Sequence, residues 1–350
     1  MKGIVFLGQH NLEIQEFEDP TPGPDEVILE IKASGMCGSD LKVYRAADGP
    51  SSLGLGGEDK QVIAGHEPCG TIVELGKNVN KNNFKKDMNV MQHHYKGCGT
   101  CVHCSTGWQQ LCVDGVKEVY GVTGHGAHAK YMKCPADTLV KLREDISFKS
   151  GAAISCGTGT AWGAIDRLCL RSHETLAVFG LGPVGLSAVM IASSMGVNVI
   201  ALDTNQQRLD RAKSFGAENI LNPMKIDNVV DAIKDLTNGL GAHSSIDASS
   251  SSEARSQSIK CLRTWGKACF VGEGGNVDID VSNDLLRRQI TLIGSWTFSK
   301  HGQYECSEYI AEKKLKVDEL FTHEWKLEQA EEAYELFDKQ SDGKGVIYPS

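Results

Sequence analysis

Residues 175–202 carry no charged side chain, and this stretch constrains the fold more than any other. It is longer than the roughly 20 apolar residues that cross a bilayer. Gly180, Gly182, Pro183 and Gly185 interrupt it, however, and no basic cluster flanks it closely. It therefore reads as a buried strand, a glycine turn, a helix and a second strand. The first strand is expected at 175–179. The turn runs Gly180, Leu181, Gly182, Pro183, Val184, Gly185, and the second strand, 198–202, ends in Asp203. Glycines in such a turn let the backbone approach a pyrophosphate, whose charge rests on the N–H groups that open the helix. Asp203 can accept hydrogen bonds from adenosine ribose hydroxyls and repels a 2′-phosphate, so NAD is expected in preference to NADP.

The same alternation extends on both sides. Helical runs are expected at 184–195, 206–215 and 226–237, with strands at 244–248, 269–271 and 290–293. That order predicts an α/β, doubly wound parallel sheet over residues 151–290. Residues 1–150 read differently, as short alternating strands separated by turn signals such as 19–24 and 54–57. Beyond 290 come two amphipathic stretches, 304–314 and 327–339, and a short strand at 345–348. A chain of 350 residues, 41% of them hydrophobic, can build two domains with real cores. Its net charge of −9 argues against a nucleic-acid or anionic-membrane surface. Residues 1–6 lack the pattern of a signal peptide, which points to the cytoplasm, so the twelve cysteines are expected as thiols and metal ligands.

Cys98, Cys101 and Cys104 recur at every third position, and Cys112 follows eight residues on. One loop with that spacing wraps a tetrahedral ion, and four thiolates leave no open position, which describes a structural zinc site. A second constellation is spread along the chain. Cys37, Ser39 and Asp40 lie where a strand over 26–32 gives way to a loop. There a thiolate can ligate, a hydroxyl can pass a proton, and a carboxylate can orient a histidine ligand. His66 and Glu67 follow another apolar run and offer further ligands. Cys156 sits at the junction of the two halves, ahead of a helical run containing Thr160.

Taken together, the order and spacing of these motifs resemble the zinc-dependent alcohol dehydrogenases of the medium-chain dehydrogenase/reductase superfamily, in particular their polyol, sorbitol and threonine dehydrogenases. The resemblance spans nearly the whole chain. It implies a GroES-like, β-rich catalytic domain over 1–150, completed by 291–350, and a Rossmann NAD-binding domain over 151–290. It implies two zinc ions per chain. Cys37, His66 and Cys156 would hold the catalytic one, with Glu67 ligating directly or standing just behind it and Asp40 hydrogen-bonding His66. Thr160, Val271, Ser295 and Thr297 would border the nicotinamide, and Arg208 the adenosine ribose. Homodimers or homotetramers would assemble through the cofactor domains near 290–293.

The activity implied is reversible oxidation of an alcohol to a ketone or aldehyde, with zinc as Lewis acid, Ser39 accepting the alcohol proton and hydride passing to NAD. Two residues depart from the family pattern. Lys42 stands where many relatives relay protons through a histidine. His94 stands where relatives built for simple alcohols carry an apolar pocket residue. With Thr297 and Ser299, they tilt the expectation toward a polar, multiply hydroxylated secondary alcohol, its pocket shaped by the loops 45–60 and 296–303. Competing readings are a zinc-free enoyl or quinone reductase of the same superfamily, a catalytically silent NAD- and zinc-binding protein, and a zinc-ribbon module for nucleic acid. The ligand set argues against the first and the acidic charge against the last.

Overall fold

The computed structural model describes residues 1–47, 61–339 and 343–349. The expected turn at 54–57 and most of the loop 45–60 lie outside the described residues. The chain forms two compact units, Met1–Cys156 with Ser299–Ser350, and Gly157–Phe298. The breaks fall later than those expected at 150 and 290. The first is displaced because the helix Phe148–Ile154 packs on the strands Glu26–Gly35 and Glu67–Leu75. It carries Ser155 and Cys156 at its end, and Ser155 Oγ donates to the Pro68 carbonyl at 2.8 Å.

The first unit is built on a seven-stranded sheet. Its central strand, Glu26–Gly35, pairs antiparallel with Glu67–Leu75 and with Tyr131–Pro135. The alternation Val27, Leu29, Ile31 faces a core shared with Ile72, Val90 and Met132, as period-2 patterning requires. The C-terminal strand Lys344–Tyr348 also joins this strand, Val346 opposite Gly35 and Ile347 opposite Ser34. The last residues of the chain thereby lie beside the segment that leads into Cys37. A second cluster seals this corner, with Phe6, Met36, Leu41 and Tyr44 packed around Tyr334 of the helix Ala330–Asp338.

The second unit holds a six-stranded parallel sheet. Its strands run Asn219–Leu221, Asn198–Leu202, Thr175–Phe179, Ala242–Asp247, Leu262–Phe270 and Thr291–Gly294 from edge to edge. The strand order reverses at Thr175–Phe179, which is where a doubly wound sheet opens a crevice for ligands. The stretch without charges is accordingly buried: Leu176, Ala177, Val178, Val199 and Ala201 have no exposed surface. Among the described residues no helix is long and apolar enough to cross a membrane.

Candidate metal centre and cofactor turn

Cys37, His66 and Cys156 converge in the first unit, their ligand atoms all within 4.8 Å of one another. Each arrives from a different element. Cys37 follows the central strand, His66 precedes the strand Glu67–Leu75, and Cys156 follows the helix Phe148–Ile154. The two sulfurs stand 3.8 Å apart, close to the separation of two thiolates sharing a tetrahedral ion with bonds of about 2.3 Å. His66 turns Nδ1 toward Asp40 Oδ1, 2.8 Å away and buried. That contact places the proton on Nδ1 and leaves Nε2 to ligate. Asp40 is held in turn by the Cys37 N–H, which donates to Oδ2 at 2.8 Å.

Ser39 opens the helix Asp40–Arg45, yet its hydroxyl does not cap it. Ser39 Oγ lies 3.2 Å from Cys37 Sγ and 3.0 Å from His66 Nε2 instead. Cys156 shares its proton with Cys37, which holds the Cys37 thiol well below its ordinary range and pushes Cys156 up. Burial works against a charged His66, but Asp40 and the Cys37 thiolate together outweigh it and raise the imidazole well above its ordinary range. A site primed to hold one thiolate and an oriented imidazole fits a soft-to-borderline divalent ion such as zinc.

Glu67 is not within that cluster. Its Oε2 meets Lys344 Nζ at 2.5 Å, and Lys344 also donates to the Met36 carbonyl at 2.9 Å. Burial pushes the Glu67 carboxyl up to about 8 against the pull of Lys344. Its other oxygen, Oε1, is buried with no hydrogen-bond partner among the described residues. Lys344 was not legible as a site residue, since a lone lysine at the start of a C-terminal strand carries no spacing signal. His94 is buried beside the ligands, its ring centroid 5.2 Å from that of His66. Burial holds it neutral, well below its ordinary range. Its Nδ1 lies 3.1 Å from the Ser155 carbonyl, so Nδ1 is the donor and Nε2 the acceptor nitrogen. Lys42 lies on the exposed side of its helix. Ser299 is spent as a cap: its Oγ accepts the Gly302 N–H at the start of the helix Lys300–Lys313.

Cys98, Cys101, Cys104 and Cys112 form the second cluster. Backbone N–H groups of Cys98 and Cys101 point at Cys112 Sγ and Cys98 Sγ, each at 3.3 Å. Such donors favour thiolates; the Cys104 N–H is the main cause that lowers Cys101 to about 6. Four sulfurs closed in this way fit a structural tetrahedral ion with no open position.

In the second unit the residues expected around a dinucleotide collect at the C-terminal ends of parallel strands. Gly180, Asp203, Val271 and Ser295 each follow directly on a strand of the sheet. Gly180 has φ +87, and a Cβ there would meet the Ser249 backbone nitrogen at 2.8 Å. Gly182 faces open space and precedes Pro183 at the first turn of the helix Pro183–Ser194, with no side chain capping the end. Asp203 accepts the Leu181 N–H at 2.7 Å and the Asn205 N–H at 2.9 Å, which ties the turn to the neighbouring strand. Arg208 lies 3.7 Å from the same carboxylate. Thr160 is buried in the helix Gly157–Leu168, and Thr297 adopts a positive φ.

Comparison with known proteins gives a consistent picture. A family described as the alcohol dehydrogenase GroES-like domain matches residues 23–144, and one described as zinc-binding dehydrogenase matches 183–313. An uncharacterised zinc-type alcohol dehydrogenase-like protein of Escherichia coli is 34% identical over 99% of this chain and 98% of its own. A sorbitol dehydrogenase of Halalkalibacterium halodurans is 29% identical over 100% and 99%. The crystal structure of an NAD-dependent alcohol dehydrogenase superposes with a TM-score of 0.86, at 26% identity and 99% coverage of both chains.

Proposed function

Because the chain belongs to the zinc-dependent alcohol dehydrogenases of the medium-chain dehydrogenase/reductase superfamily, we propose that its substrate is a polar secondary alcohol, oxidised reversibly to the ketone. The enzyme acts on a CH–OH donor with zinc and NAD. The observation that carries the assignment of the site is the meeting of the half-buried Cys37 with the buried His66 and Cys156, with Asp40 behind His66. These three side chains would hold the catalytic zinc, and the four-cysteine loop a structural one. When bound, zinc supplies Lewis acidity that lowers the alcohol pKa, and the nicotinamide accepts the hydride.

The chain's own residues do the rest. Ser39 Oγ, beside both Cys37 Sγ and His66 Nε2, accepts the alcohol proton as it passes its own hydroxyl proton outward toward solvent. Asp40 keeps His66 in the tautomer whose Nε2 faces the metal. Glu67, neutralised in part by Lys344, stands behind the ligands and sets the local field. The N–H groups that open the helix Pro183–Ser194 receive the pyrophosphate, and Asp203 the ribose hydroxyls with Arg208 beside it. Thr160, Val271, Ser295 and Thr297 border the nicotinamide. The polar substrate is supported by His94, whose acceptor nitrogen suits a second hydroxyl where an apolar side chain would exclude one. We also place the enzyme in the cytoplasm as a dimer or tetramer. Twelve cysteines serving as thiols and metal ligands suit a reducing compartment.

The direct test is zinc content per chain together with NAD reduction over a panel of polyols, sugar alcohols, amino alcohols and simple alcohols. Two zincs and turnover of polar secondary alcohols are expected. One zinc, released only on unfolding, would sink the catalytic assignment and leave a silent NAD-binding protein. Preference for simple primary alcohols would overturn the substrate reading alone.

A further inference from the structure

A continuous chain of buried polar groups runs from His66 into the core of the first unit. Asp40 Oδ1 meets His66 Nδ1 at 2.8 Å. Asp40 Oδ2 lies 3.2 Å from the Tyr334 hydroxyl. The same hydroxyl lies 2.7 Å from His128 Nε2, and His128 Nδ1 lies 2.7 Å from Ser34 Oγ. Ser34, His128 and Tyr334 have no exposed surface, Asp40 is 2% exposed and His66 4%. Tyr334 is otherwise set among Phe6, Tyr44 and Met36, where a hydroxyl is costly unless it is paired.

The protons in this chain can be assigned by elimination. Asp40 Oδ2 accepts the Cys37 N–H, Oδ1 faces His66 Nδ1, and the Tyr334 hydroxyl stands as the donor to Oδ2. The Tyr334 proton must therefore point at Asp40; turned toward His128, it would set phenol oxygen against carboxylate oxygen with no proton between them. The phenol oxygen then accepts from His128 Nε2–H. Burial keeps His128 neutral, its pKa lowered to about 4, so Nδ1 is the acceptor and receives the Ser34 hydroxyl. Every donor in the chain points toward Asp40. Local packing makes room for it: Gly65, next to His66, has no Cβ, and one there would fall 2.5 Å from His128 Nδ1.

We infer that Tyr334 and His128 are positioning residues for the metal centre, locking the Asp40 carboxylate in the orientation that holds His66 for zinc. Residues 128 and 334 are far in sequence from Ser34, Asp40 and His66, and through Tyr334 the helix Ala330–Asp338 joins this chain behind the metal centre. The inference rests on the assignment of zinc to Cys37, His66 and Cys156. Its reach is that of a group behind a metal ligand, about tenfold in metal retention at the low end of what such groups contribute.

The test is the rate at which the zinc-loaded enzyme gives up metal to a chelator, resolved into the Cys37 site and the four-cysteine loop. The variants are Tyr334→Phe, His128→Phe and the pair together. Tyr334→Phe removes a single oxygen, and the midpoint of thermal unfolding records any general loosening. Release from the Cys37 site is expected to quicken about tenfold in Tyr334→Phe, with the loop unchanged. His128→Phe should have a smaller effect that vanishes in the Tyr334→Phe background, because it acts only through the phenol. Unchanged release in Tyr334→Phe would overturn the inference, as would equal acceleration at both sites or additive effects in the double variant. A wild-type enzyme with zinc in the loop only would overturn the metal assignment, and this inference with it.

Discussion

At the scale of single residues, Lys344 and Glu67 form an ion pair 1% and 0% exposed, so each is indispensable to the other. Removing one partner of a buried pair leaves an uncompensated charge and costs about 3–5 kcal/mol, whereas replacing both with uncharged groups is far better tolerated. Glu67, already raised to about 8, can neutralise itself by taking up a proton when Lys344 is lost, so Lys344→Met is expected to lower stability by up to about that amount, most at high pH, and Lys344→Met with Glu67→Gln to recover most of it. Denaturant midpoints of the three proteins decide; a double variant as unstable as the single one would refute the pairing. His128 gives a second prediction at this scale. Its folded pKa, about 4, lies below the ordinary histidine value near 6.5. Between those pH values the unfolded chain binds a proton that the folded one does not. The stability from the neutral ring is thus complete above about pH 6.5 and lost as pH falls toward 4, by about 3 kcal/mol in all. His128→Phe should flatten this part of the acid limb, and identical limbs in the two proteins would refute it. Neither Lys344 nor His128 was legible in the sequence. Lone residues that meet only through strand pairing and a C-terminal helix leave no spacing to read, whereas Cys98 to Cys112 declare themselves because one loop carries all four.

At the scale of elements, the glycine turn shows how local sequence dictates a close approach. A Cβ on Gly185 would lie 1.9 Å from the Gly180 carbonyl oxygen, so the helix Pro183–Ser194 can seat against the strand before it only with glycine there. Gly185→Ala should push the helix away from the turn and weaken NAD binding by at least about tenfold, some 1.4 kcal/mol, without loss of zinc. Calorimetric titration with NAD checks this, and unchanged affinity would place the dinucleotide elsewhere. The four-cysteine loop should behave in the opposite way. Cys98→Ser is expected to lower the unfolding temperature while leaving NAD affinity intact, whereas Cys37→Ala should abolish turnover and leave the unfolding temperature nearly unchanged. Equal loss of folding in both variants would contradict the division of roles. Most elements of the second unit were readable because buried parallel strands are continuous apolar runs. The exceptions have physical causes. The strand Asn219–Leu221 is too short to show a period. The helix Ser252–Lys260 hides behind a serine run and a polar face, and only the Ser251 side-chain cap marks its start.

At the scale of the whole molecule, the second unit carries a surface that a lone chain has reason to cover. Thr291–Gly294 is the last strand of its sheet and pairs on one side only among the described residues. An open edge of this kind invites another strand. Among the residues leading into it, Val281 and Leu286 are apolar and exposed, at 56% and 61%, and Trp265 on the neighbouring strand reaches 73%. A two-fold axis beside Thr291–Gly294 would pair the edge with its own copy, so that two six-stranded sheets become one and the apolar fringe is covered by the same residues of a second chain. This is the edge near which the family resemblance implies the subunit contact, at 290–293. Because Val281 and Leu286 are exposed in the single chain, Val281→Glu with Leu286→Glu should leave folding, zinc content and the NAD turn intact while setting like charges against each other across the axis. Sedimentation should then report a chain of 37.9 kDa in place of a dimer or tetramer. An unaltered oligomer would move the interface to another face, and a monomeric wild type would remove it altogether.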